Sequence, residues 1–288
     1  MTQQINTPRG CFALRDSGGE AFPVLMIHGW PETSYCWEHT LPYLPSSFRY
    51  IRPDTRGMGD SERTLAPEAY QKHELAKDIL VLADTLGLGE FALVGHDWGG
   101  VIAQEMALLA PERVKALVVL NIFLLNNRSG SLLAQQKIRN QGARAEWYQV
   151  FQQQPVLAEA MIPGNEEVWI RYFVRSPLKN RQLPEDSLQA YIQAYSQPHT
   201  PTTAANYYRT MFEDVHRWKT LQNQPFTMPA LIIYGQRDPV VIPEYFEGHQ
   251  NCFTQLRGVV NIEAGHFVQE EQPEAVAMAL TQFLEEVL

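Results

Sequence analysis

FALVGHDWGG, residues 91–100, is the stretch whose reading decides the fold. Phe91-Ala92-Leu93-Val94 is a short apolar run without strict alternation, which predicts a strand buried on both faces. Gly95-His96-Asp97-Trp98-Gly99 follows, and from there to Ala110 the chain is apolar on most sides, predicting a helix that starts near Trp98 and stops before Pro111. Strand, glycine-flanked turn and helix form the G-x-S-x-G nucleophile-elbow pattern with a carboxylate in the serine position. The two glycines allow the backbone to close around the turn. The helix N-terminus favours a negative charge at Asp97. Asp is also a good N-cap, so capping alone is the structural alternative for this residue.

A carboxylate and a hydroxyl suit different electrophiles. Attack by Asp97 on an ester carbonyl would give an anhydride, with little gain over the ester. Attack on a saturated carbon displaces a leaving group and leaves a stable alkyl-enzyme ester, which water then cleaves at its carbonyl. The pattern therefore points to an electrophilic sp³ carbon, such as that of an epoxide or an alkyl halide.

Outward from the elbow, the same grammar repeats. Val24-Leu25-Met26-Ile27 leads to His28-Gly29, Phe48 to Ile51 leads to Pro53-Asp54, Leu117 to Leu120 leads to Asn121, and Leu231 to Tyr234 leads to Gly235. Helices are predicted over Glu74 to Leu86, with Leu75, Ile79, Leu82 and Leu86 on one face and Gly87 as the stop, and from about Glu274 to the end. Strands alternating with helices predict an α/β protein with a mostly parallel, doubly wound sheet. From about Leu125 to Phe226 no strand signal stands out, and the chain reads as short helices. We therefore expect a helical cap over 125–226, inserted into a core formed by 1–124 and 227–288.

The ester-cleaving step needs a base and a group to orient it. His266 in Glu263-Ala264-Gly265-His266-Phe267 lies after the last strand-like segment and can activate water. Asp238 in Gly235-Gln236-Arg237-Asp238-Pro239 follows a strand and can orient that imidazole. Each alone is a common loop or turn residue; the ordered triple nucleophile, acid, histidine is not. Backbone N–H groups of Trp30 and Trp98 are the candidate oxyanion donors, and Pro31 is expected to follow a cis peptide that turns the Trp30 N–H inward. His28 is expected to brace this loop, His96 to point away from the substrate, and Phe267 to line an apolar pocket.

The composition excludes several other classes. The chain has 288 residues, 45% of them hydrophobic, and a net charge of −9 with Lys and Arg scattered, which argues against nucleic acid as a partner. No run of about 18 apolar residues predicts a membrane span. The start has no signal-peptide h-region. Three widely spaced cysteines suggest neither a disulfide framework nor a metal site, and a cytoplasmic protein without cofactor is expected.

With these motifs together, the chain resembles the α/β-hydrolase-fold epoxide hydrolases over nearly its whole length. The resemblance rests on HGWPE at 28–32, RPDTRGMGDS at 52–61, GHDWGG at 95–100, YGQRDPV at 234–240 and AGHF at 264–267. It implies a covalent mechanism on a small apolar epoxide, with water as second substrate and a vicinal diol as product. It also implies two cap tyrosines that protonate the epoxide oxygen. Glu146 to Gln152 resembles the first tyrosine motif and supplies Tyr148; Asn206-Tyr207-Tyr208-Arg209 resembles the second and supplies Tyr208. Packing at a cap–core contact is the alternative for both. Haloalkane dehalogenases share the elbow and stand as the alternative activity, with Trp98 and one of Trp147, Trp169 or Trp218 as halide donors. Fluoroacetate dehalogenases carry arginines just after the nucleophile, where this chain has Trp98 and Gly99. A catalytically silent ligand-binding hydrolase fold ranks last because the triple is intact. By analogy only, a homodimer formed through the cap is expected.

Overall fold

The computed structural model describes residues 2–142, 146–178, 183–222 and 224–288. Its centre is one eight-stranded sheet. In chain order the strands are β1 (Thr2–Thr7), β2 (Gly10–Asp16), β3 (Phe22–Ile27), β4 (Phe48–Pro53), β5 (Phe91–His96), β6 (Val114–Leu120), β7 (Phe226–Gly235) and β8 (Phe253–Ile262). Their spatial order is β1-β2-β4-β3-β5-β6-β7-β8; β1 and β2 pair antiparallel to their neighbours, and the rest run parallel. Helix α1 (Lys72–Thr85) leads into β5, α2 (Trp98–Leu109) follows it, and α10 (Val268–Glu271) and α11 (Pro273–Val287) close the chain.

The sequence singles out the strands that are buried on both sides. Every residue of β5 is buried, as are the last four of β3 and the last five of β6. Full burial of each such aliphatic side chain is worth roughly 1.5–3 kcal/mol, so these runs can only be strands inside the layer. The first hairpin left no such trace. β1, TQQINT, is largely exposed, and backbone pairing to β2 holds it, from Thr2 opposite Arg15 to Thr7 opposite Gly10. β8 is the opposite edge and alternates irregularly between buried and exposed residues.

The chain visits β4 on one side of β3 and then returns to β5 on the other, so the winding direction reverses between β3 and β5. Such a switch point opens a crevice at the carboxyl ends of the strands. The loop after β3 and the turn after β5 meet there, because Ile27 is in register with Gly95.

Between β6 and β7, among the described residues, the chain is helical. It forms α3 (Arg128–Asn140), α4 (Trp147–Gln153), α5 (Leu157–Met161), α6 (Glu166–Phe173), α7 (Glu185–Tyr195), α8 (Thr200–Arg209) and α9 (Met211–Trp218). α8 is the most deeply set, with Thr200, Pro201 and every residue from Thr203 to Tyr208 buried. Its Thr203 hydroxyl donates to the Gly57 carbonyl at 2.8 Å, and the Tyr207 hydroxyl donates to the Arg56 carbonyl at 2.9 Å. α8 is thereby fastened to the loop after β4. Among the described residues no helix is long and apolar enough to cross a membrane.

Candidate active site

Asp97 stands between β5 and α2 with φ 50° and ψ −126°, a conformation that costs on the order of 1–3 kcal/mol for a non-glycine residue. The two neighbouring glycines make this turn buildable. A Cβ on Gly95 would collide with the Gly99 carbonyl, and one on Gly99 with the Ile27 carbonyl. The Asp97 side chain makes no capping hydrogen bond to α2, which removes the capping account of this residue. It turns instead toward two other loops. Oδ1 accepts the Trp30 N–H at 2.8 Å, and Oδ2 lies 3.5 Å from His266 Nε2.

The imidazole of His266 is held from its other side. Nδ1 lies 2.7 Å from Asp238 Oδ2, and the Asp238 carboxylate is itself buried. Asp238 Oδ1 accepts the N–H groups of Val240 at 2.8 Å and Val241 at 3.0 Å. Asn121 completes the set, donating from Nδ2 to Asp238 Oδ2 at 2.8 Å and accepting the Gly235 N–H at 2.9 Å. Asn121 directly follows β6 with φ 44°, a conformation Asn tolerates better than most side chains. The strand-end position before Ile122 was its only sequence signal.

The electrostatics follow from this chain. Burial opposes charge on Asp97, but the hydrogen bond and charge of His266, then His96 and the Trp30 N–H, hold its carboxyl below the usual range. Burial likewise opposes charge on His266, yet Asp238 and Asp97 together raise its pKa well above the ordinary value. Both shifts favour the charged partners of an Asp97–His266 ion pair.

The loop after β3 is braced as its residues suggested. Trp30–Pro31 is a cis peptide. His28 Nδ1 lies 2.8 Å from the Gly29 carbonyl, and its Nε2 accepts the Thr55 N–H at 3.0 Å. His96 points away from the crevice, with Nδ1 2.8 Å from Glu32 Oε2 and Nε2 2.8 Å from the His266 carbonyl. Glu32 was quoted in a motif but given no role. It is buried and also accepts from Gln269 at 2.7 Å and from the Gly29 N–H at 3.1 Å, tying three loops together. Phe267 packs edge-on against the His266 ring at 5.1 Å.

Two helices supply the opposite wall. Tyr148 on α4 stacks on Trp30 with ring centroids 5.5 Å apart and planes 11° apart. Tyr208 on α8 stands edge-on to Trp30, Tyr148 and Trp98 at 5.3, 5.6 and 5.6 Å. Burial, with the Asp97 charge adding to it, raises the pKa of both tyrosines, so both keep their protons. The adjacent Tyr207 faces away, its hydroxyl 2.7 Å from Thr55 Oγ1. Of the other tryptophans, Trp218 donates its Nε1–H to Glu105 at 2.9 Å, Trp147 is partly exposed, and Trp169 Nε1 is buried without a partner among the described residues. Among the described residues no group of three or more His, Cys, Asp or Glu is arranged to hold a metal ion.

A mostly parallel sheet with a carboxylate at the elbow after β5 and an acid–histidine pair beyond β7 and β8 defines an α/β hydrolase. The alpha/beta hydrolase fold family matches residues 23–273, and the chain belongs to that family. It is 31% identical to epoxide hydrolase 4 of Mus musculus, over 91% of this chain and 73% of that protein. It is 29% identical to epoxide hydrolase A of Mycobacterium tuberculosis, over 93% and 92%. Among solved structures, an epoxide hydrolase from Vigna radiata superposes with a TM-score of 0.84 at 25% identity, covering 99% of this chain and 98% of that one.

Proposed function

We propose that the protein is an epoxide hydrolase that opens a small apolar epoxide through an ester on Asp97, with residues 125–226 forming a helical cap over a core of 1–124 and 227–288. The observation that carries this reading is the non-capping Asp97 carboxylate, bonded to the Trp30 N–H, with Tyr148 and Tyr208 packed on Trp30 and Trp98 from the facing helices. A halide departs without a proton; an alkoxide needs one. The names of the relatives support the same choice.

Asp97 attacks one ring carbon as the C–O bond breaks, and Tyr148 or Tyr208 gives its proton to the departing oxygen. This leaves the ester, a tyrosinate and imidazolium His266. Esterification removes the Asp97 charge that helped hold the imidazolium proton, so that proton becomes free to neutralise the tyrosinate. Neutral His266, oriented by Asp238, then takes a proton from water, and the hydroxide attacks the Asp97 carbonyl carbon. The N–H groups of Trp30 and Trp98 stabilise the resulting oxyanion. Collapse releases the diol and restores the carboxylate–imidazolium pair.

The test is a two-product assay. Purified protein receives aryl and alkyl epoxides and bromoalkanes, and diol and bromide are quantified beside Asp97→Ala. Diol without bromide, lost in the variant, is expected. Bromide without diol would transfer the protein to the dehalogenases and reduce the tyrosines to packing.

A further inference from the structure

Lys72 opens α1 and is completely buried, a position an ammonium holds only with close partners. Nζ donates to Asp214 Oδ2 at 2.7 Å, to Thr210 Oγ1 at 3.1 Å and to the Tyr207 carbonyl. The Lys72 peptide N–H gives Asp214 a further bond, to Oδ1 at 2.9 Å. All these acceptors belong to the α8–α9 segment, and Tyr207 and Thr210 bracket Tyr208. The same Nζ lies over the Trp98 indole, 4.5 Å from its centroid.

Trp98 is the residue after Asp97. Its indole N–H is buried with no hydrogen-bond partner among the described residues, and its ring stands edge-on to Tyr208. A cation on one face of an indole draws density from the ring and makes the edge N–H a stronger donor. Burial raises the Tyr208 pKa, and the neighbouring Tyr148 and Asp97 add to that shift.

We propose that Lys72 is a positioning residue for proton donation, which polarises the Trp98 N–H toward the Tyr208 oxygen and anchors the backbone on either side of Tyr208. This rests on Tyr208 acting as the acid of ring opening. In that step the Tyr208 O–H bond breaks, the proton joins the epoxide oxygen, and the tyrosinate oxygen is stabilised by the Trp98 N–H. Burial lowers the Lys72 pKa, and the ion pair with Asp214 works against that shift. An ion pair that served only to pin α8–α9 would alter stability without favouring one chemical step over the other.

The test is single-turnover kinetics with styrene oxide, separating ester formation from ester hydrolysis. It compares the parent, Lys72→Met with Asp214→Asn, Trp98→Phe, Tyr208→Phe, and the first two changes combined with Trp98→Phe. Removing Lys72 together with Asp214 avoids stranding a buried carboxylate. We expect that variant to slow ester formation about tenfold and leave ester hydrolysis nearly unchanged, with no further loss once Trp98 is Phe. Unchanged ester formation, equal slowing of both steps, or full additivity with Trp98→Phe would each overturn the proposal. If the paired variant does not fold, Trp98→Phe decides: slowed ester formation supports the relay, and ester formation at the parent rate ends it. A parent that forms no ester, or Tyr208→Phe that forms it at the parent rate, brings down the reading of the site as well.

Discussion

The two walls of the crevice are built on different principles. Asp97, Asp238 and His266 stand just beyond the ends of β5, β7 and β8, and hydrogen bonds fix them. His266 is bound to Asp238 at 2.7 Å, Asp238 to Asn121 at 2.8 Å, and Asp97 to the Trp30 N–H at 2.8 Å. Tyr148 and Tyr208 stand on helices, and ring packing against Trp30 and Trp98 holds them. A hydrogen-bonded chain tied to sheet register tolerates little displacement, which suits bond making at a defined atom. An aromatic wall fixes planes more than contacts and can accept substrates of varied outline. Under the proposed mechanism, bond formation falls to the sheet side and proton supply to the helical side.

This division can be broken by substitution. Asp97→Ala removes the proposed nucleophile, so diol production should fall by more than about 10⁴-fold; residual turnover within a hundredfold of the parent would place the nucleophile elsewhere. Tyr148→Phe combined with Tyr208→Phe should lower kcat for epoxides by about 10²–10⁴-fold, the range for loss of general acid catalysis, with the fold intact by circular dichroism. Parent-like kcat in that variant would erase the distinction between the walls. Lys72→Met alone strands the buried Asp214 carboxylate and should lower unfolding stability by about 3–5 kcal/mol in urea melts; adding Asp214→Asn should recover most of that loss.

A pH dependence is built in where α10 meets α7. Glu270 on α10 accepts from Ser187 at 3.0 Å and from Tyr191, both on α7. Burial raises its carboxyl to about 8. A folded-state value above the unfolded one means that this contact contributes fully below the ordinary carboxylate value and weakens as pH rises through about 8. Glu270→Gln should therefore melt above the parent at pH ~9 and together with it at pH ~4. A gap that grows toward low pH would reverse the assignment. The smallest expected effect is that of Asn121→Ala, which removes one bond to a buried carboxylate that keeps its two peptide donors. It should lower kcat about tenfold without changing KM, consistent with about 1.5 kcal/mol for a hydrogen bond to a charged group.

Legibility in the sequence followed the same division. Asp97 and Asp238 could be read because the buried runs of β5 and β7 lead to them, whereas His266, beyond the edge strand β8, was legible from its place in the ordered triple. Tyr148 and Tyr208 could not be read from periodicity; only resemblance of their surroundings singled them out. β1 was invisible because its hydrogen bonds are backbone and its side chains face water. Asn121 and Glu32 were missed because their work is to bond other side chains, which depends on loops distant in sequence. Lys72 had a signal that went unused: it lies three residues before Leu75, on the apolar face of α1, where a lysine needs a buried partner.

The central claim is a covalent bond between substrate and Asp97, and the most direct test is the intact mass of His266→Gln after exposure to an epoxide the parent turns over. Without the base, ester formation should outlast hydrolysis. The account predicts a protein heavier by one substrate molecule, with the added mass on the peptide that contains Asp97. An unmodified protein, or an adduct on another peptide while the parent remains active, would contradict it.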